Sequence, residues 1–131
     1  MKIINTSGKR KASIARATLY PGVGTVRING FLLHTWNPGM NQRKVSEPVI
    51  LAGDIATKAD VRINVHGGGV SSQAEACRLA LARALVEFDK KLEKTFLEYD
   101  RQLLVADVRR KETRKPNTHG KARSKRQKSY R

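Results

Sequence analysis

From Val108 to Arg131 the chain offers only three apolar or aromatic side chains, Val108, Ala122 and Tyr130. A segment this poor in apolar surface cannot offset the conformational entropy of ordering its own backbone, so it does not fold alone. Any core must come from residues 1–107, and residues 108–131 read as an extended basic tail, disordered without a partner. The charge divides at the same point. Residues 108–131 hold 11 Lys and Arg against one acid, Glu112, a net of +10. Residues 1–107 hold 16 against 10, a net of +6. Most of the total formal charge of +16 is therefore packed into 24 of 131 residues.

A chain of this length makes one domain with an appendage. No apolar run approaches the roughly 18–20 residues that span a bilayer. Met1 to Gly8 leads into Lys9-Arg10-Lys11 rather than a long apolar stretch, so no secretory signal is expected. The single cysteine, Cys77, excludes a disulfide framework and fits a reducing interior. There is no Cys/His spacing for zinc, and no metal or cofactor is expected. Net charge this high calls for a polyanion, either nucleic acid or an anionic membrane surface. A lipid anchor normally comes with an amphipathic basic helix or a lipidation motif, and with neither present a membrane partner is not expected.

Hydrophobic period sketches the domain. Ala12 to Tyr20 alternates, with Ser13, Ala15, Ala17 and Leu19 on one face and Ile14, Arg16, Thr18 and Tyr20 on the other. Pro21-Gly22-Val23-Gly24 reads as a turn into a second alternating run, Thr25 to Asn29, so the two runs predict a hairpin. Trp36 reads as a loop-to-core anchor. A short helix is expected over 46–52, with Pro48 in its first turn and Gly53 ending it. Asp60 to His66 is the clearest strand, burying Val61, Ile63 and Val65 and exposing Arg62, Asn64 and His66. After Gly67-Gly68-Gly69 the longest helix covers 71–89. Ser72 and Glu75 have capping-box spacing, and Ala74, Cys77, Leu81, Ala84, Leu85 and Phe88 form the buried stripe. Arg83 and Glu87 stand at i, i+4. A second helix is expected over about 91–100 and a last short strand over 103–106. Strands before the main helices give a two-layer α+β domain. By parity Arg16, Arg27 and Arg62 share one face if their strands share one sheet.

Enzymatic motifs are missing. Gly67-Gly68-Gly69-Val70-Ser71-Ser72 lacks the Gly-Lys-Ser/Thr ending of a P-loop, and Gly22-Val23-Gly24 lacks the third glycine of a dinucleotide fingerprint. The triple glycine reads as a tight strand-to-helix turn. If it takes a phosphate at the helix N-terminus, an RNA backbone suits it better than a nucleotide. His34, His66 and His119 have no metalloprotease frame, and Cys77 lies on the buried stripe. A small phosphotransfer enzyme built on the glycine turn is the weaker rival. A DNA-associated architectural protein is the stronger one, although no helix-turn-helix, zinc-finger or basic-zipper pattern supplies base readout.

The basic clusters carry the functional signal. Lys9, Arg10 and Lys11 precede the first alternating run. Arg109, Arg110, Lys111, Arg114 and Lys115 open the tail, and Lys121, Arg123, Lys125, Arg126, Lys128 and Arg131 fill its end. Like charges in a run repel one another and gain order only when phosphates neutralise them. Twenty-four extended residues reach up to about 80 Å at roughly 3.3–3.6 Å each, far enough to enter a large RNA mass.

Several blocks resemble a known family. They are Gly8-Lys9-Arg10-Lys11-Ala12-Ser13-Ile14-Ala15-Arg16-Ala17, Val26-Arg27-Ile28-Asn29-Gly30, Gly67-Gly68-Gly69-Val70-Ser71-Ser72-Gln73-Ala74, Ala80-Leu81-Ala82-Arg83-Ala84-Leu85 and the ending Lys125-Arg126-Gln127-Lys128-Ser129-Tyr130-Arg131. In order and over essentially the whole chain they resemble protein nine of the small ribosomal subunit, in its archaeal and eukaryotic branch. The resemblance implies a structural, non-enzymatic protein of the cytoplasmic ribosome that is not an obligate homo-oligomer. Its implied fold is like the second domain of small-subunit protein five, with a left-handed βαβ crossover. It also implies a place in the subunit head, beside other head proteins and on ribosomal RNA of the 3′ major domain. Lys9, Arg10, Lys11, Arg16, Arg27, Arg62, Gly67, Gly68, Gly69 and the tail cations up to Arg126 are the expected RNA contacts. The tail tip is implied to meet the peptidyl-site tRNA, through Arg131 first and Lys128 second. Tyr130 departs from the Ser-Lys-Arg ending of bacterial members.

Overall fold

Alternating burial sorts the strand side chains onto two faces. In β2 (Ser13–Pro21), Ser13, Ala15, Ala17 and Leu19 are buried, as are Val26 and Ile28 of β3 (Val26–Ile28) and Val61, Ile63 and Val65 of β5 (Ala59–His66). With β1 (Ile4–Arg10) and β4 (Phe31–Leu32) these strands form one sheet, ordered β1-β2-β5-β3-β4. The computed structural model describes residues 3–125 and 128–131. Among them the helices are α1 (Met40–Ala52), α2 (Val70–Phe88) and α3 (Leu92–Tyr99), with 3-10 turns at Gly53–Lys58 and Arg101–Leu103. The result is the expected two-layer α+β domain, with the core between helices and sheet. Leu19, Ile28, Ile63, Leu81, Leu85, Phe96 and Leu103 are its large, fully buried members, and Trp36 joins them.

The pairing differs from the hairpin expected between residues 12–20 and 25–29. β5 lies between those two strands, antiparallel to β2 and parallel to β3. The Pro21–Gly24 turn crosses the start of β5, where Asp60 Oδ1 accepts the N–H groups of Val23 (3.0 Å) and Thr25 (2.7 Å). Period two states which face a residue takes but not which strand lies beside it. Past Ile28 the Asn29 side chain continues the ladder, its Nδ2 donating to Val65 O (3.0 Å) and its Oδ1 accepting from Val65 N–H (2.9 Å). The chain returns from β3 to its parallel neighbour β5 through β4 and α1, which makes the βαβ unit.

β2 instead forms its hairpin with β1, closed at Lys11-Ala12 with Lys11 at φ 51°, while β3 turns back into the short β4. β1 carries no apolar alternation. Its inward positions are Ile4, Thr6 and Gly8, and Thr6 Oγ1 donates to Ala80 O of α2 at 2.8 Å. Gly8 is required by closeness. A Cβ there would collide with the Ala76 carbonyl oxygen and stand 2.8 Å from Ala80 N. The alanines of α2 and this glycine let helix and sheet meet backbone to backbone.

Two further expectations change. α1 starts at Met40, six residues before the expected boundary, because its first turn is polar and its N-cap is Gly39 at φ 118°. Pro48 therefore sits buried in the helix interior, where its missing N–H leaves the Lys44 carbonyl without its i−4 bond. Gly53, at φ 53°, does end the helix. The strand expected over 103–106 is absent: a 3-10 turn ends at Leu103, and an irregular segment follows.

Gly8→Ala should lower stability by about 1–3 kcal/mol, the range for overpacking a filled interior. Gly69→Ser, at a site with nothing within 4 Å of an added Cβ, should leave it within about 0.5 kcal/mol. Equal thermal midpoints for the two variants, followed by far-ultraviolet circular dichroism, would contradict the close contact.

Candidate nucleic-acid interface

The helices cover one side of the sheet and leave the other open. Arg16 on β2, Arg62 on β5 and Arg27 on β3 are exposed there. Register places Arg27 directly opposite Arg62, while Arg16 is opposite Asn64, two residues along β5. The three guanidiniums thus spread diagonally over three adjacent strands, and Lys9 joins them from the edge strand opposite Ile14. Among the described residues none of the three arginines has a carboxylate oxygen within 4.0 Å. The guanidinium carbon of Arg62 lies 5.4 Å from the Tyr20 ring centroid, a spacing that supports a cation over an aromatic face. Asn64 and His66 complete this face. Their parity was plain, but no charge singled them out.

Asp60 is the one acid on the sheet, and its oxygens are turned toward the Val23–Thr25 loop. The Thr25 N–H above all, aided by those of Val23 and Gly24, holds its pKa below the ordinary carboxylate value against a smaller opposing effect of burial. The other acids of the domain lie on or after the helices: Glu47, Asp54, Glu75, Glu87, Asp89, Glu93, Glu98, Asp100 and Asp107. Carboxylates are therefore segregated: apart from Asp60 they lie on or after the helices, and the open sheet face is left to cations.

The remaining expected contacts divide. Lys11 is exposed at the hairpin tip, but Arg10 points to the helical side, where its Nε donates to Glu75 at 2.6 Å and its Nη1 pairs with Asp107. Gly67 and Gly68 hold φ values of 77° and 62°. A Cβ at Gly67 would stand 2.5 Å from Ala12 O, and one at Gly68 would collide with Ser13 Oγ. Both are thus needed for the tight turn. Ser13 Oγ, fully buried, lies 2.9 Å from Gly67 O and 2.9 Å from Ser72 Oγ. Gly69 itself, not Ser72, caps α2. Ser72 sits at the third helical position and accepts the Gly69 N–H at 3.0 Å, while Glu75 is committed to Arg10 and Lys44.

Beyond Asp107 the described residues form no helix and no strand longer than the single bridge Thr118–Lys125. Arg109, Arg110, Lys111, Arg114, Lys115, Lys121, Arg123, Lys125, Lys128 and Arg131 are all exposed, and so are Val108 and Tyr130. Arg126 lies outside the described residues. A local turn gathers the middle of the arm, through Lys115 N–H to Lys121 O (2.8 Å) and His119 N–H to Ser124 O (2.8 Å). Glu112 accepts from Lys115 Nζ (2.5 Å) and Arg123 Nε (2.7 Å), which lower its pKa, and Lys121 beside Lys111 lowers that of the lysine.

The sequence that builds this sheet face and arm matches a known family along nearly its whole length. A model of ribosomal protein S9/S16 matches residues 8–131. Curated relatives described as small ribosomal subunit protein uS9 agree end to end. The protein of Methanococcus maripaludis strain C7 is 51% identical over 134 residues, covering all of both chains. The chain belongs to the ribosomal protein S9/S16 family. The protein of Methanococcus vannielii is 49% identical, again over both full chains, and that of Pyrobaculum aerophilum 47%, over 99% of this chain and 92% of its own. Family membership makes the protein a structural, non-enzymatic constituent of the small subunit of the cytoplasmic ribosome, working in translation. Among the described residues no helix is long and apolar enough to cross a membrane.

The helical side of this family member is where its charges are paired. Arg78 reaches Glu47 (2.5 Å) and Asp100 (3.0 Å), and Glu75 takes Arg10 and Lys44 (3.3 Å). Arg83 does not pair with Glu87; its Nε donates to Leu104 O (3.0 Å) and its Nη1 to Ser7 O (2.9 Å). Burial pushes Glu75 upward, but Arg10 and Lys44 outweigh it, and its pKa falls below the ordinary 4.5. For Asp100, burial is likewise outweighed by the Gln102 N–H and Arg78, and its pKa lies below 3.8. Both carboxyls are thus lower in the folded than in the unfolded state, so they contribute stability above the unfolded values, and that contribution disappears as pH falls through the folded ones. Thermal midpoints should hold from pH 7 to about 5.5 and drop below pH 4.5, with a shallower drop in Glu75→Gln. Parallel pH profiles for the two proteins would remove Glu75 from this account.

Proposed function

We propose that the protein binds small-subunit ribosomal RNA of the 3′ major domain through phosphate neutralisation at two separate surfaces. The first is the open sheet face, with Arg16, Arg27, Arg62, Lys9 and the adjacent hairpin tip at Lys11. The second is the arm from residue 108 onward, with Arg109, Arg110, Lys111, Arg114, Lys115, Lys121, Arg123, Lys125 and Arg126. The observation that carries the reading is the three-strand arginine face, exposed and without carboxylate partners while the acids gather on the far side. Guanidiniums in this state are free to take phosphate oxygens bidentately, and a broad flat surface suits the outside of a folded RNA. Gly67 and Gly68 serve the turn; Gly69, with open space around it, is the glycine of the three that a phosphate can approach. The domain closes its own core and needs no second copy, and its helical side is left for neighbouring head proteins.

Replacing Arg16, Arg27 and Arg62 together by Gln should reduce affinity for the transcribed 3′ major domain. It should also flatten the dependence of log affinity on log salt by about 2–3, since each neutralised phosphate contributes roughly 0.7–0.9. An unchanged slope would rule out this face as a phosphate contact. Equal binding of duplex DNA and structured RNA at one salt concentration would favour an architectural DNA protein instead.

The arm's tip is the second half of the proposal. By likeness to its family, Arg131 and then Lys128 meet the peptidyl-site tRNA, at the end of a segment whose length allows about 80 Å of reach. Deleting residues 128–131 should leave subunit assembly intact and weaken peptidyl-site tRNA binding to reconstituted subunits. Unaltered tRNA affinity would refute the tip's role.

A further inference from the structure

We infer that Arg10 and Asp107 fix the direction in which the basic arm leaves the domain, acting as positioning residues for the arm's RNA contacts rather than as contacts themselves. The inference rests on the reading of the arm as an RNA-binding element. Asp107 is the last residue before the arm, and its side chain is only 9% exposed. On one side it pairs with Arg10 at the end of β1, itself held by Glu75 of α2. On the other it holds the arm's second residue: Oδ1 accepts the Arg109 N–H at 2.7 Å and Oδ2 takes Nη2 at 2.8 Å. One carboxylate therefore ties the rigid layer of helix and sheet to the first turn of an otherwise unsupported segment. Three residues earlier, Arg83 clasps Leu104 O together with Ser7 O of β1, so the path from buried Leu103 to Arg109 is held at two points.

Length is not what this clamp controls. Releasing residues 104–107 would extend a free arm of 24 residues to about 28, and closure entropy changes little over such a ratio. What it sets is where the arm starts and how it points, so that less ordering remains when RNA binds.

The test separates positioning from direct contact by sign and by slope. Asp107→Ala removes a negative charge, so electrostatics alone would tighten binding to the transcribed 3′ major domain. Positioning weakens it, by about threefold to tenfold, through lost order. Arg10→Gln should weaken binding similarly while leaving the salt slope as it was, whereas a phosphate contact would flatten that slope by roughly 0.7–0.9. In the RNA-free chain, spin labels at Asp54→Cys and Thr113→Cys should give a narrower distance distribution in the parent than in its Asp107→Ala variant; Cys77, fully buried, stays unlabelled. Equal widths, tighter binding by Asp107→Ala, or a flattened slope in Arg10→Gln would each overturn the inference. If removing residues 108–131 leaves RNA affinity untouched, the arm's RNA role fails, and the label distances still decide whether the clamp exists.

Discussion

The approach of α2 to β1 at Gly8 decides what the rest of the molecule can present. A helix that touches a strand backbone to backbone, with Ala76 and Ala80 above a residue without a Cβ, occupies that face of the sheet completely. The opposite face then carries the alternate side chains of β2, β3 and β5, among them Arg16, Arg27 and Arg62, toward solvent. The arginines on it are there because their neighbours Ala15, Ala17, Ile28, Ile63 and Val61 are buried on the other side. A bulkier residue at position 8 would lift the helix, loosen the alanine-lined core and blur the distinction between a packed face and a free one. Exposure of the arginine face is thus a consequence of close packing on the hidden side.

Much of this was legible in the residues. Parity in Ser13–Tyr20, Val26–Ile28 and Asp60–His66 assigned each side chain to its face, and five of the six stripe residues of α2 are buried. Phe88 is only partly so, and the buried Ala76, Leu79, Ala80 and Ala82 lay off the stripe because α2 packs on the sheet as well as on α1. What parity does not encode is adjacency. β5 slips between β2 and β3 because Asp60 can hold the crossing loop, a tertiary contact with no local signature. β1 escaped notice because its inward positions are Thr6 and Gly8, whose fitness comes from α2 alone. The early start of α1 was hidden by a polar first turn behind a glycine cap. For the site the lesson is similar: Arg16, Arg27 and Arg62 were readable from alternation, whereas Arg10, in an unbroken basic triplet with Lys9 and Lys11, is turned away by the opposite parity of its own strand.

Segregation of charge also separates two energetic regimes. On the helical side Arg10, Arg78, Glu75 and Asp107 are partly shielded from water, and their pairings organise segments far apart in sequence. On the sheet face and the arm the cations stand in solvent, where an ion pair such as Lys115–Glu112 stabilises little. The first group links distant segments around the apolar core, and the open-face arginines make no such pairing. Cations of the second group are therefore free to trade water for phosphate oxygens without weakening the domain that carries them.

The Arg83 bridge to Ser7 also guards an edge of the sheet. A sheet with bare edges invites another strand to add to it, and a polypeptide released at high local concentration is exposed to that hazard. Here the outer edge of β1 has a carbonyl already claimed by Arg83. The opposite edge strand, β4, is only two residues long. Neither border offers a long template, so self-association through the backbone is discouraged at both ends of the sheet. Strand addition is thus disfavoured at both borders, and recognition is left to the side chains.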